Sequence, residues 1–250
     1  MSSLFRRATA PLRHTFSALL RTLPESVGGS VAFETKSFVG RVLARRLRVD
    51  PNKRNYMNLG SGNDRLDDYV AVDFFSSNAD YGADFRHPFL IDDAVFDGIF
   101  TEHTLEHLNY AEVAGVLAEC RRMLKPGGII RIVVPDLSIF VENYVSNNES
   151  WFRDWEREVL KPRGRSMISR MEALSFVTQE YGHRSAWDFE TMEGFLTRAG
   201  FTEIRKCAFR ESGDPRLVQD KDTLDRTMLS LYVEARKVST SLAAVPAAGG

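Results

Sequence analysis

The sequence is poor in cysteine, in long apolar runs and in net charge, and each shortage closes off a class of protein. Cys120 and Cys207 are its two cysteines, far apart and without paired spacing. Neither a disulfide framework nor a cysteine-based zinc site is supported, and a reducing, cytoplasmic setting is the simpler expectation. No stretch approaches the roughly 18 apolar residues that a membrane span requires. The 33 Lys and Arg offset 34 Asp and Glu to a formal charge of −1, which argues against a general nucleic-acid binder. What remains is ordinary globular composition, 43% apolar and 27% charged over 250 residues. That is enough chain to bury a full core as one large domain.

The near-zero total hides an uneven distribution. Residues 1–50 carry nine basic side chains against three acidic ones, so the composition changes near Pro51. Leu12, Phe16, Leu19, Leu20 and Leu23 follow helical spacing, Gly28-Gly29-Ser30 reads as a break, and Phe38, Val39, Val42, Leu43 and Leu47 resume the pattern. Residues 1–50 are therefore expected to be a basic helical arm. Three uses stay open: helices packed on the domain, a basic surface for peripheral membrane or protein contact, or an import peptide. The uncharged Ser-, Ala- and Gly-rich segment 239–250 reads as a disordered tail.

From residue 54 onward short apolar strands alternate with helices. Strands are expected at Tyr56–Leu59, Val70–Val72, Tyr81–Phe85, Phe96–Thr101 and Ile129–Val134, then at Thr202–Phe209 and Leu229–Ala235. Asn109 and Glu112 spell a capping box at the start of a helix that buries Val113, Val116, Leu117, Cys120, Met123 and Leu124. Cys120 thus reads as core rather than nucleophile. Lys125-Pro126-Gly127-Gly128 ends that helix, and a later one starts at Asp188 and stops at Gly200. The sum is a doubly wound α/β sheet spanning residues 51–238, with an insert at about 137–181. Only Asn63–Tyr69 separates the Gly60–Gly62 turn from the second strand, which is short for a parallel crossover, so the first helix is expected to be one turn or missing.

In such sheets ligands bind beyond the carboxyl ends of the strands. There the chain delivers Gly60-Ser61-Gly62, then Asp73-Phe74, then Asp84-Phe85, then Thr101-Glu102-His103. If the ligand is a nucleoside with a charged tail, each has a role. The glycines let backbone approach it, Asp73 accepts both ribose hydroxyls, Phe74 covers a purine face, and Asp84 accepts from an exocyclic amine.

The segments NLGSG at 58–62, VAVDF at 70–74, FDGIFTEHTLEHL at 96–108 and LKPGGIIRIVVPD at 124–136 resemble class I S-adenosylmethionine-dependent methyltransferases. The likeness runs over roughly residues 54–237. It is nearest to a group of small bacterial-type enzymes that also carry YGHR, here Tyr181–Arg184. It implies strand order 3-2-1-4-5-7-6 with the last strand antiparallel, and S-adenosylmethionine as cofactor. It also implies methyl transfer to an oxygen or nitrogen. Gly60, Ser61 and Gly62 would lie by the methionine part, Asp73 would hold the ribose, and Phe74, Asp84 and Phe85 would surround the adenine. Thr101, Glu102 and His103 would border the methionine moiety. Asn58 stands where many relatives have an acid, and Asp64 where they have a third glycine.

Rival chemistries fit less well. A dinucleotide dehydrogenase needs a glycine at Arg65 and an acid further on than Asp73. His103-Thr104-Leu105-Glu106-His107 matches H-x-x-E-H, but the segment follows directly from a buried strand, and no metal is expected. Polyamine-type alkyl transfer lacks its paired acids. A non-catalytic cofactor-binding scaffold is the alternative from another class, because no base stands out. The resemblance puts acceptor recognition in the insert, rich in Trp151, Phe152, Trp155, Met167, Met171 and Phe176, with a basic loop at Lys161–Arg165. One reading is a helical cap with its own apolar core and a solvated basic loop; the functional reading is an apolar pocket for a small molecule, a saccharide or another anionic metabolite. His183, His103 and Tyr144 are the candidate bases.

Overall fold

The computed structural model describes residues 25–238. A first helix, α1 (Glu25–Leu43), leads into β1 (Tyr56–Leu59), β2 (Tyr69–Asp73), β3 (Tyr81–Gly82) and β4 (Phe96–Glu102). Next come α2 (Tyr110–Met123) and the long β5 (Leu124–Pro135). The insert follows as α3 (Leu137–Val145), α4 (Glu149–Trp155), irregular turns and α5 (Arg170–Gln179). The chain closes with α6 (Phe189–Arg198), β6 (Phe201–Cys207), the short α7 (Leu224–Leu229) and β7 (Ser230–Lys237). The strands form one sheet in the order β3-β2-β1-β4-β5-β7-β6. Pairings from β3 across to β5 are parallel, and β7 runs antiparallel to both β5 and β6.

Alternation along the strands explains the two covered faces. Ile130, Ile132 and Val134 of β5 face α2 and α6, where Val113, Val116, Leu117, Met192 and Leu196 complete the main core. Cys120 is fully buried there, and burial pushes its thiol far above the ordinary range. Ile129 and Val133 point the other way and meet Tyr56, Tyr69, Phe100 and Leu217. On that face the loop between β6 and α7, rather than a long helix, supplies the cover. The same face holds Arg131, fully buried, bonded through Nε to Asp220 at 2.8 Å and facing Glu234 at 3.4 Å. A guanidinium in a β-branched run is tolerated here because two carboxylates meet it.

Local signals account for most boundaries. The Asn109–Glu112 capping box is present in both directions, at 2.9 and 2.8 Å. No helix separates β1 from β2. Three features differ from the sequence reading by more than about two residues. The helix α1 runs through Gly28-Gly29-Ser30 without a break. The third strand shrinks to Tyr81–Gly82, because Asp84 turns away to bond Arg86. The fifth strand begins at Leu124, which pairs with Phe96, so Lys125–Gly128 forms a bulge inside it. The expected helix around Leu12–Leu23 and the tail 239–250 lie outside the described residues. Among the described residues no helix is long and apolar enough to cross a membrane.

Candidate functional site

Two cavities open at the carboxyl ends of β1, β2 and β4. The first, of about 360 Å³, is bounded by the Gly60 and Gly62 turn, Asp73, Phe74, Asp84 and Phe85. Gly60 has φ +77°, and a Cβ there would sit 2.0 Å from Thr104 Oγ1, so only glycine permits this turn. The turn is pinned by Gly60 and Ser61 amides donating to the Val72 carbonyl at 2.8 and 3.1 Å. The Gly62 amide donates to Asp73 Oδ2 at 2.7 Å, which aims that carboxylate back over the glycine loop. Gly62 itself faces open space.

One wall comes from α1, on the N-terminal side of the composition change at Pro51. Phe33 of α1 lines the cavity and stacks on Phe74. Ser37 donates to Asp84, and Glu34 accepts from Arg86 at 2.6 Å. Asp84 also accepts from the Arg86 amide at 3.0 Å and from its guanidinium at 2.7 Å. Burial alone would raise the Asp84 carboxyl, but the Arg86 and Ser37 hydrogen bonds outweigh it and hold it at about 2. The expected role of Asp84, accepting from an adenine amine, thus meets a carboxylate whose lone pairs are already engaged by α1 and Arg86.

The second cavity, of about 430 Å³, lies under the insert. Phe140, Trp155, Val159, Phe176 and Leu229 make its apolar lining, and Arg163 and Arg226 its cationic one. Trp155 and Phe176 were expected there. Trp151, Phe152 and Met167 instead pack within the insert's own core, and Met171 is exposed. His103 and His107 line both cavities and form their common wall.

Of the candidate bases, His183 lines the second cavity and donates from Nδ1 to the Val177 carbonyl at 2.8 Å, so Nε2 is the lone-pair nitrogen of its neutral ring. His103 stands in the left-handed region at φ +48°. Its Nε2 contacts Ser230 Oγ at 3.0 Å, and its Nδ1 accepts from Arg226 Nη1 at 3.0 Å. Tyr144 lines neither cavity: it packs among the insert helices with Arg170 over its ring, because α3 turns that face inward.

Three further expected residues point elsewhere. Ser61 and Thr101 are buried beneath the turn and their hydroxyls have no partner. Glu102 accepts from the Lys221 amide at 3.2 Å on the opposite face, since β-strand alternation sends it away from the cavity that His103 enters. Sequence reasoning missed Phe33, Arg86, Thr104 and Glu106. Of these only Glu106 carried a signal, as the acid of the H-x-x-E-H segment. That segment is a 3₁₀ turn over Leu105–His107 rather than an α-helix. Glu106 is buried, which would raise its carboxyl, yet the adjacent His103 and His107 imidazoles keep it below the ordinary carboxylate range. His107 opens onto the cavities, but protein packed on its other sides pushes its imidazole down, against the pull of Glu106.

Residues 31–132 match the family model of a methyltransferase domain. No curated protein matches the sequence. Solved structures similar to this one include a SAM-dependent methyltransferase from Archaeoglobus fulgidus, at 15% identity over 81% of this chain and 94% of that one, TM-score 0.42. Another is phosphoethanolamine N-methyltransferase 2 from Haemonchus contortus, at 13% identity over 82% of this chain and 52% of that one, TM-score 0.42. A third is a possible histamine N-methyltransferase from Thermotoga maritima, at 15% identity over 82% and 89%, TM-score 0.41. The matched domain and the sheet order agree with the class I S-adenosylmethionine-dependent methyltransferases that the sequence segments resemble, and S-adenosylmethionine is the cofactor these findings support. The glycine turn, the acid ending β2 and the cavity between them fit that group.

Proposed function

We propose that this chain, a methyltransferase domain on the class I sheet with S-adenosylmethionine as cofactor, transfers the methyl group to an oxygen or nitrogen of a small-molecule acceptor. The observation that carries the reading is the common wall. His103 and His107 border both the glycine-turn cavity and the aromatic cavity under the insert. The cofactor would lie with its ribose at Asp73, its amino-acid end over Gly60–Gly62 and its sulfonium toward that wall. An acceptor in the second cavity would then face the methyl carbon, and its lone pair would form the new bond as the sulfur–carbon bond breaks, with that bond's electron pair left on sulfur. Placement and exclusion of water supply most of the acceleration.

His183 Nε2, the lone-pair nitrogen of the neutral ring, can take the proton of a hydroxyl or amine acceptor. His103, engaged at both nitrogens, holds the wall. Arg163 and Arg226 in the lining favour an anionic acceptor such as a charged saccharide.

Calorimetry with S-adenosylmethionine and its demethylated product tests the cofactor site. A labelled-methyl screen over saccharides, phosphorylated metabolites and amines then separates enzyme from scaffold. Label transfer that His183→Ala slows supports the reading; cofactor binding with no transfer to any acceptor favours a scaffold. Absence of cofactor binding removes both.

A further inference from the structure

The wall between the cavities holds a group that methyl transfer does not require. Glu106 is 1% exposed, and neither of its carboxylate oxygens has a hydrogen-bond partner. A buried carboxylate left in this state is costly unless a cation meets it. The nearest nitrogen, His103 Nδ1, is 3.1 Å from Oε1. Arg226 Nη1 competes for the same nitrogen at 3.0 Å. A guanidinium only donates, so whenever Nδ1 accepts from it Glu106 is left without that proton.

Two imidazoles converge on the same carboxylate. One ligand atom each from Glu106, His107 and His183 lies within 4.8 Å of the others. The rings of His107 and His183 meet edge to face, with centroids 5.1 Å apart, so they are neighbours without bonding each other. The Nδ1–H of His183 is tied to the Val177 carbonyl, which orients the ring and leaves Nε2 as a lone pair. A metal-binding histidine is held in this way by a hydrogen bond on its other nitrogen. Backbone contacts bring the two segments together without help from an ion. The Arg184 and Ser185 amides donate to the Glu106 carbonyl at 2.7 and 3.2 Å, and Ser185 Oγ donates to the Leu105 carbonyl.

We propose that Glu106, His107 and His183 bind one divalent first-row transition cation, with zinc as the reference, whose remaining positions open onto the aromatic cavity. Two imidazoles and a carboxylate are a donor set that suits zinc and ferrous iron. Bond lengths of about 2.1 Å place tetrahedral ligands roughly 3.4 Å apart. Small side-chain rotations close the present spread to that value, and His107, exposed to the cavity, has room to make them. The set differs from the pair of histidines in the H-x-x-E-H reading. His103 stands outside it, turned by its left-handed backbone toward Ser230 and Arg226. The proposal departs from the sequence expectation of no metal.

The inference leaves methyl transfer as proposed but replaces the proton-accepting role of His183, because a ligated Nε2 takes no proton. Its test is therefore run without cofactor. The full chain, stripped with a chelator and dialysed, is titrated with Co²⁺ and Zn²⁺. Uptake of about one equivalent is expected, with a visible Co²⁺ band that Zn²⁺ abolishes. Glu106→Gln and His183→Ala should each weaken uptake at least tenfold, while His87→Ala binds as the parent does. Circular dichroism confirms that the variants are folded, and His183→Ala, on a half-buried segment, keeps the test decisive should Glu106→Gln not fold. A parent chain that takes up no cation, or folded variants that bind as tightly as the parent, overturns the proposal.

Discussion

The ring of Phe33 lies parallel to that of Phe74, with centroids 4.2 Å and planes 6° apart. Lys36 sits 5.0 Å from the Phe74 centroid and Arg86 4.9 Å from that of Phe33, so the stack carries a cation at each ring. This pair joins a helix from the basic N-terminal region to the acid-bearing end of β2. Phe33→Ala removes a stacked contact of about 1 kcal/mol. It is expected to weaken S-adenosylmethionine binding by about three- to tenfold in calorimetry. Unchanged affinity would show that α1 is no functional part of the wall.

Asp73 is the carboxylate on which the nucleoside site turns. Its Oδ2 already orients the Gly62 amide at 2.7 Å. Asp73→Asn keeps the shape and removes the charge. A hydrogen bond to a charged group contributes about 1.5–3 kcal/mol. Affinity for the cofactor should therefore fall by about ten- to a hundredfold, with little change in the thermal midpoint.

Asp84 links stability to acid. Its carboxyl is lowered from 3.8 to about 2 in the folded chain. A depressed folded value means that the stabilisation is complete above the unfolded value, near pH 4, and is lost as pH falls through about 2. The shift corresponds to roughly 2 kcal/mol. The thermal midpoint of Asp84→Asn should lie below that of the parent at pH 5 and converge on it toward pH 2. A gap that stays constant over this range would assign the stabilisation to another group.

Arg131 tests the second face of the sheet. Replacing it with Ala leaves Asp220 and Glu234 buried and without their shared cation. The expected loss is about 3–5 kcal/mol, read as a lower urea midpoint. Arg131→Ala combined with Asp220→Asn should recover part of it, since Asp220 is then no longer an uncompensated charge, whereas Glu234 keeps Arg205 at 2.7 Å.

The amino-acid order alone determined the elements whose signals lie within a few residues. The Asn109–Glu112 box joins positions three apart and starts α2 where it was expected. The glycine turn follows its strand, Asp73 ends the next, and short apolar runs build the parallel part of the sheet. Tertiary structure decided how distant side chains are used. Asp84 is engaged by Ser37, 47 positions away. Arg131 meets Glu234 across 103 positions, and His103 meets Ser230 across 127. Tyr144 and Glu102, equally polar in sequence, turn away from the cavities, while Glu106 and His183 are brought together by Arg184 and Ser185. A helix cap or a strand period is an interaction among near neighbours, so sequence encodes it directly. Whether a carboxylate ends up free, paired or orphaned depends on which remote groups chain closure brings within about 3 Å, and only the assembled fold supplies that distance.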